Sequence, residues 1–393
     1  MISQGVDLMK DPELNPRGSL VQMDLLDGIC EEAHELKVEN YWRGMPEYNN
    51  VKEGDPEITA TFKFRNKEDF ETFQSVIKDH LYGDQKVFDG NQLKDKKSTW
   101  YPLNPRPSKY YYDGDAVQPE YPIYIISKGR WDRRQTVRTL EYAGVDYRIV
   151  VEPSEYENYA EVIDHKKILT LPSNFSDLDQ GSVPVRNWVW EHSIAEGHEW
   201  HWILDDNLES IERYNDNMKV KCKSPAPFRV VEEFVSRYSN IGQAGMHYAI
   251  FCPGGDARPP IQFNSRIYSC ILIRNNVPFR WRGKYNEDTD LSLRILKSGL
   301  ATVNFRAFLV GKRATLTQKG GNENIYSETD DRLEFAKSLE SQHPDVVTVV
   351  RRFGRWHHQV NYRPFKFNAL DQIKFIEGEN TINDHSLMLK TTQ

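Results

Sequence analysis

Trp200-His201-Trp202-Ile203-Leu204-Asp205-Asp206-Asn207 reads as a buried strand that ends in an acidic turn. Trp200, Trp202 and Leu204 alternate with His201 and Ile203, so bulk falls on both faces, as in the middle of a sheet. Two acids and an amide follow where the strand stops. Oxygen donors in that place suit a hard divalent cation, Mg²⁺ or Mn²⁺. A plain turn or a helix cap uses the same residue types.

Upstream of this turn, strands alternate with helices. Tyr121–Ile126 (YPIYII) is a short apolar strand, Arg133–Ala143 a helix closed by Gly144, and Tyr147–Val151 a second strand. Ile168–Leu171 is a third strand, and Val185–Ala195 a helix ending near Gly197. Downstream, helices are predicted at Phe228–Tyr238, Thr289–Lys297 and Arg332–Ser341. Strands are predicted near Ala249–Cys252, Tyr268–Ile273 and Thr302–Leu309. The pattern predicts an α/β fold: an open, mostly parallel sheet flanked by helices. Such sheets bind ligands at the carboxyl ends of their strands.

The N-terminal part reads differently. Residues 22–37 suit a helix, and Glu57–Phe64 (EITATFKF) alternates like a strand. Asn66 is a helix cap before Lys67-Glu68-Asp69, and Phe70, Phe73, Val76 and Ile77 form the apolar face. Lys86–Phe88 and Ser98–Tyr101 are further short strands. Residues 1–105 therefore read as a small N-terminal α+β accessory domain. Residues 106–120 are a Pro/Tyr-rich linker, 121–368 the main domain, and 369–393 a C-terminal tail.

The chain has 393 residues and a net charge of -7. Residues 1–120 hold 15 Lys and Arg against 23 Asp and Glu, and the remainder 36 against 35. The acidity thus sits at the N-terminal end. Basic stripes occur at Lys128 to Arg138, Arg280 to Lys284 and Arg351 to Lys366, and local stripes govern phosphate contact. No apolar run spans a bilayer and the N-terminus lacks an apolar leader, so no membrane partner is expected. The four cysteines form no CxxC pair. A cytoplasmic setting fits.

Several strand ends carry candidate site residues. Ser127-Lys128-Gly129-Arg130 can turn tightly and bring two cations to a diphosphate, or be a solvated basic loop. Glu152 can accept from a base or a ribose, or be a surface acid. In Gly181-Ser182-Val183-Pro184-Val185-Arg186-Asn187-Trp188, Pro184 suits a first helical turn. Arg186 and Asn187 then lie where an anion is favoured; an ordinary ion pair explains Arg186 equally well. In Tyr285-Asn286-Glu287-Asp288-Thr289-Asp290, Asp288 or Thr289 caps the following helix, or the carboxylates serve as general base. Lys319-Gly320-Gly321-Asn322 is a cationic loop able to close over phosphates. Arg351, Arg352, Arg355, Trp356, Tyr362, Arg363 and Lys366 interleave cations with aromatics. That mixture suits a nucleic-acid backbone and an extruded base, and also a half-buried strand.

Taken in order, YIISKGR (124–130), VVEPSEY (150–156), GSVPVRNW (181–188), WILDDN (202–207), YNEDTDLSLR (285–294) and KGGN (319–322) resemble the GT-A class of glycosyltransferases. More narrowly, they resemble the bacteriophage TET/JBP-associated glycosyltransferases, which are proposed to glycosylate hydroxymethylated pyrimidines in phage DNA. The resemblance covers about residues 121–368. WRGMPEY (42–48) is similar to a small domain of phage proteins, with no activity attached.

The resemblance implies a GT-A-like fold, a UDP-sugar donor and a divalent metal, Mn²⁺ or Mg²⁺. The acceptor implied is DNA containing a hydroxymethylpyrimidine, hydroxymethylcytosine first, in host cytoplasm if the source is viral. Ser127, Lys128, Gly129 and Arg130 would line the nucleotide and Glu152 face the base or ribose. Arg186 and Asn187 would approach the diphosphate, and Lys319 would close over it. Asp205 and Asn207 are the outer positions of a DxD-like turn and the expected metal ligands, with His357 the candidate third. Asn at the last position throws more weight on Asp206. Glu287 and Asp288 match the acidic pair beside the acceptor, with Asp288 as base. Two other functions fit the residues: transfer to a protein, glycan or small molecule, and a non-catalytic nucleotide- or DNA-binding module.

Overall fold

The structure is a computed structural model that describes residues 38–50, 62–77, 81–82, 85–86, 109–114, 117–253, 258–312, 332–352, 355–375 and 382–392. The expected helix at 22–37, most of the strand at 57–64, the strand at 98–101 and the Lys319 loop lie outside these residues.

The N-terminal part contributes α1 (Val38–Tyr41), α2 (Lys67–Ile77) and a two-stranded ribbon of β1 (Leu81–Tyr82) and β2 (Gln85–Lys86). Asn66 caps α2 as expected, its Oδ1 accepting from the Asp69 N–H at 2.8 Å. Phe70 and Phe73 meet Phe64, but Val76 is 73% exposed and leaves the expected apolar face.

The main unit opens with β3 (Tyr110–Asp113), β4 (Ile123–Ile126), α3 (Gln135–Tyr142), β5 (Arg148–Val151), α4 (Tyr156–Ala160) and β6 (Ile168–Thr170). It continues through α5 (Val183–Ala195), β7 (Trp200–Asp205), β8 (Leu208–Asn215), β9 (Met218–Lys223), α6 (Ala226–Val235) and β10 (Ile241–Tyr248). Then come β11 (Ile261–Phe263), β12 (Cys270–Arg274), α7 (Glu287–Lys297) and β13 (Ala301–Lys312). Last are α8 (Arg332–Gln342), the hairpin of β14 (Val347–Arg352) and β15 (Arg355–Val360), and β16 (Met388–Thr391).

Twelve strands form one sheet in the order β16-β3-β9-β8-β13-β10-β12-β7-β4-β5-β6, with β11 beside β13. In the run from β6 to β13 only β12 is reversed. The sheet is thus mixed and largely parallel, as the alternation predicted. Alternate residues of each central strand bury to opposite sides. Ile123, Ile125, Trp202 and Leu204 join the core under α3 and α6. Tyr124, Ile203, Ile271 and Ile273 join the core with Val189 and Trp190 of α5 and Leu291 and Ile295 of α7. Covering both faces is what a parallel sheet requires. Trp202 meets Phe228 edge-on at 4.9 Å, and truncating it costs about 3–5 kcal/mol.

One predicted strand is displaced. Ala249–Phe251 is a 3₁₀ turn, and the strand is β10 just before it. Its small residues weaken the apolar pattern but permit close strand approach. A Cβ on Gly245 would lie 2.3 Å from the Cys270 carbonyl oxygen.

The WRGMPEY segment packs against the sheet. Val38 and Met45 are buried in the core, and Tyr41 meets Phe263 at 5.1 Å. Arg237 holds the carbonyls of Arg43 and Gly44. Among the described residues no helix is long and apolar enough to cross a membrane. Among the described residues, Cys222, Cys252 and Cys270 are buried and form no disulfide.

Candidate active site

The carboxyl edge of the parallel strands gathers the site. Strand β4 delivers Ser127 to Arg130 there, β5 delivers Glu152, and β7 delivers Asp205 and Asp206. Strands β10 and β13 point the same way and end at Tyr248 and Lys312. Reversed β12 starts at this edge, so Ser269 stands beside Asp205, whose N–H donates to the Ser269 carbonyl at 2.9 Å.

Thr136, at the start of α3, clamps the acidic turn. Its hydroxyl donates to the Asp205 carbonyl at 2.6 Å and accepts from the Leu208 N–H at 2.9 Å. Asp205 Oδ1 accepts from Arg186 at 3.0 Å. Its Oδ2 accepts from Ser269 at 2.5 Å and from Lys312 at 2.7 Å. Burial works against the Asp205 charge. The Lys312 and Arg186 charges outweigh burial and hold the carboxyl well below the usual range.

Asp206 faces the other way, toward the first loop. It is paired to Arg130, and Ser127 donates to it at 2.9 Å. Tyr159 is hydrogen-bonded to Ser127 at 2.7 Å. Burial pushes the Asp206 carboxyl up, against the pull of Arg130. Gly129, with φ of 66°, turns its N–H onto Glu155 at 3.0 Å.

Helices α5 and α7 close the site. Arg186 is 4% exposed, lies over the Trp281 ring at 4.7 Å, and has its Nε 3.0 Å from the Ser182 hydroxyl. Ser182 donates to Glu287 at 2.8 Å. The helix α7 starts at Glu287 after Asn286 in a left-handed conformation, so neither Asp288 nor Thr289 is its cap. Asp288 is left free for chemistry. Burial, with the Glu287 charge adding, pushes its carboxyl up to about 7. Three buried polar atoms here have no partner: Asn207 Oδ1, Asp288 Oδ1 and Arg186 Nη1. Such orphans are rare unless a ligand or water completes them.

A family model described as TET-associated glycosyltransferase matches residues 121–321, half of the chain and all of this edge. The chain belongs to the TET-associated glycosyltransferase family. A comparison with curated proteins gives no match. Among solved structures, this TET-associated glycosyltransferase is similar to glucosyl-3-phosphoglycerate synthase from Mycobacterium tuberculosis, solved with Mg²⁺ and UDP. The identity is 10%, the TM-score 0.34, and the match covers 63% of this chain and 88% of that one.

The expected site residues of this glycosyltransferase do not all converge. Ser127, Arg130, Arg186, Asp205, Asp206 and Glu287 meet through the contacts above, and the Asp288 carboxyl feels the Arg186, Asp205 and Lys312 charges. Asn187 does not face the site: its amide holds the Trp281 backbone, at 2.9 Å on each side. Glu152 accepts from the N–H and hydroxyl of Ser176 at 2.6 and 2.8 Å and so anchors a loop. His357 lies in the β14–β15 hairpin, where burial and then Arg332, Arg355 and Arg352 depress its basicity. Among the described residues, no three His, Cys, Asp or Glu side chains group as a metal site. Sequence reading missed Thr136, Glu155, Tyr248, Ser269 and Lys312. Applying the strand-end rule to β10 and β13 would have found Tyr248 and Lys312.

Proposed function

We propose that this glycosyltransferase moves a sugar from a UDP-sugar to the hydroxyl of a hydroxymethylpyrimidine, hydroxymethylcytosine first, in DNA. The observation that carries the reading is Asp205 held between Arg186 and Lys312 at the carboxyl edge, with Asp288 close enough to share their field. We take residues 121–368 as the transferase unit.

In this reading Ser127, Lys128, Gly129 and Arg130 contact the nucleotide. Arg130 and Arg186 set positive charge where a diphosphate leaves. Asp205 and Asn207 would hold a divalent ion: their oxygens are hard donors, and Asn207 Oδ1 is buried without a partner. Mg²⁺ or Mn²⁺ held there would supply charge neutralisation for the diphosphate. Asp288, near 7, takes the acceptor hydroxyl proton as general base. The acceptor oxygen bonds to the anomeric carbon, the bond to the phosphate oxygen breaks, and UDP leaves. A base so placed supports an inverting course.

The DNA acceptor is supported by the basic hairpin. Strands β14 and β15 carry Arg351, Arg352 and Arg355, and the Arg351 guanidinium lies 5.7 Å from the Trp356 ring centre. Beyond them Lys366 covers Phe367, which is 80% exposed. An exposed aromatic among cations suits a single-stranded or extruded base. Incubation with hydroxymethylated DNA and UDP-sugars, then mass analysis of the nucleosides, tests this. A glycosylated hydroxymethylpyrimidine is expected; release of UDP only with protein, glycan or small-molecule acceptors overturns the DNA reading. Full turnover by Asp205→Ala in excess EDTA overturns the metal role.

A further inference from the structure

Lys312 is given no step of its own in the reading above, yet its ammonium reaches the centre of the site. Strand β13 pairs with β8 in register up to Gly311 opposite Ser210, and then slips, so that Lys312 stands opposite Leu208. A bulge of this kind re-aims the side chain that follows it. The glycine gives room there: a Cβ on Gly311 would lie 2.2 Å from Ser210 Oγ, and that hydroxyl would have to move. The re-aimed ammonium is 2.7 Å from Asp205 Oδ2, 2.8 Å from Ser269 Oγ, and 5.7 Å from the Tyr248 ring centre. The Lys312 side chain is only 17% exposed.

Ser269 donates to the same oxygen at 2.5 Å, and Arg186 holds the other oxygen at 3.0 Å. Asp205 Oδ2 therefore has no open coordination place while Lys312 stays. A divalent ion added beside Arg186 and Lys312 would also be repelled strongly where water is scarce.

We propose that Lys312 is a resident counter-cation on Asp205, which a divalent ion must displace in order to take Oδ2 of that carboxylate. The proposal rests on Asp205 being a metal ligand. In the metal-free protein the ammonium shares with Arg186 the neutralisation of a buried carboxylate. Metal entry and release of Lys312 are then one event, and the affinity of the site is set by their competition.

Mn²⁺ binding to the full chain, measured by calorimetry and by the electron paramagnetic resonance of free Mn²⁺, tests it. Lys312→Met is expected to bind Mn²⁺ about tenfold or more tighter than wild type, because the competitor is gone. Lys312→Arg keeps the charge and is expected to stay within about threefold of wild type. Lys312→Gln replaces Lys312→Met if the latter does not fold. A neutral variant that binds Mn²⁺ no tighter than wild type overturns the proposal. If Asp205→Asn binds Mn²⁺ as wild type does, the metal reading of Asp205 fails first and the proposal fails with it.

Discussion

Asp288 and Asp290 stand two residues apart in the first turn of α7, and their surroundings differ in almost every respect. Asp290 is 1% exposed and closed in by donors. His343 donates to it at 2.9 Å, Arg282 at 3.0 Å and Arg294 at 2.8 Å. Burial works against its charge, but these hydrogen bonds and cations hold the carboxyl down at about 2. Asp288 keeps a buried oxygen without a partner and is pushed up to about 7. A buried acid with every lone pair answered is a fastening. One left incomplete among like charges, at the mouth of a sheet, is poised to take up a proton. In the proposed reading, the contrast separates a structural from a catalytic carboxylate within one helical turn.

The sharpest way to break the comparison is Asp288→Asn. It is expected to lower transfer by roughly 10²–10⁴-fold while leaving the melting temperature unchanged or higher. Steady-state kinetics and calorimetry check both halves, and an active Asp288→Asn enzyme ends the contrast. Asp290→Asn should act on the other axis. It leaves Arg282, Arg294 and His343 around a neutral amide and is expected to cost about 3–5 kcal/mol in urea unfolding. Its turnover per folded molecule should stay near wild type.

The two acids also bend stability in opposite directions with pH. Asp290 is lowered from 3.8 to about 2, so its contribution is full above pH 3.8 and is lost as pH falls through about 2. Asp288 is raised from 3.8 to about 7, so the native state holds an extra proton between those values. Stability should fall as pH rises across that window, and Asp288→Asn should remove the fall. Turnover should rise over the upper part of the same range, as the base form fills. The smallest effect sharpens the boundary of the closed network. The Arg282 side chain is 50% exposed, so Arg282→Gln should cost only about 0.5–1 kcal/mol.

Much of this was legible along the chain. The apolar runs at 121–126, 147–151 and 200–204 define the central strands because each is short, buried and followed by a turn. The acidic turn could be found for the same reason. Asn187 was misjudged by adjacency: consecutive helical residues point about 100° apart, so when Arg186 faces Asp205 its neighbour turns to Trp281. Glu152 sits at the right edge, but its partner Ser176 comes from a later loop that no local pattern announces. His357 was drawn from a composition cue and belongs to a hairpin. Lys312 was missed because β13 runs three residues past its expected end at Leu309, and because its aim depends on a slip against β8. Pairing across long separations is the part of a fold that short patterns do not encode.

The outer edge of the sheet carries a consequence for how the chain is made. Strand β16 lies against β3 with Met388 opposite Asp113 and Thr391 opposite Tyr110. A strand at residues 110–113 therefore waits for its neighbour until residues 388–391 have been synthesised. Until then β3 shows an unpaired margin, the kind of surface that nascent chains use to join the wrong partner. Speed of synthesis and chaperone cover between the making of these two strands should therefore govern the yield of folded enzyme.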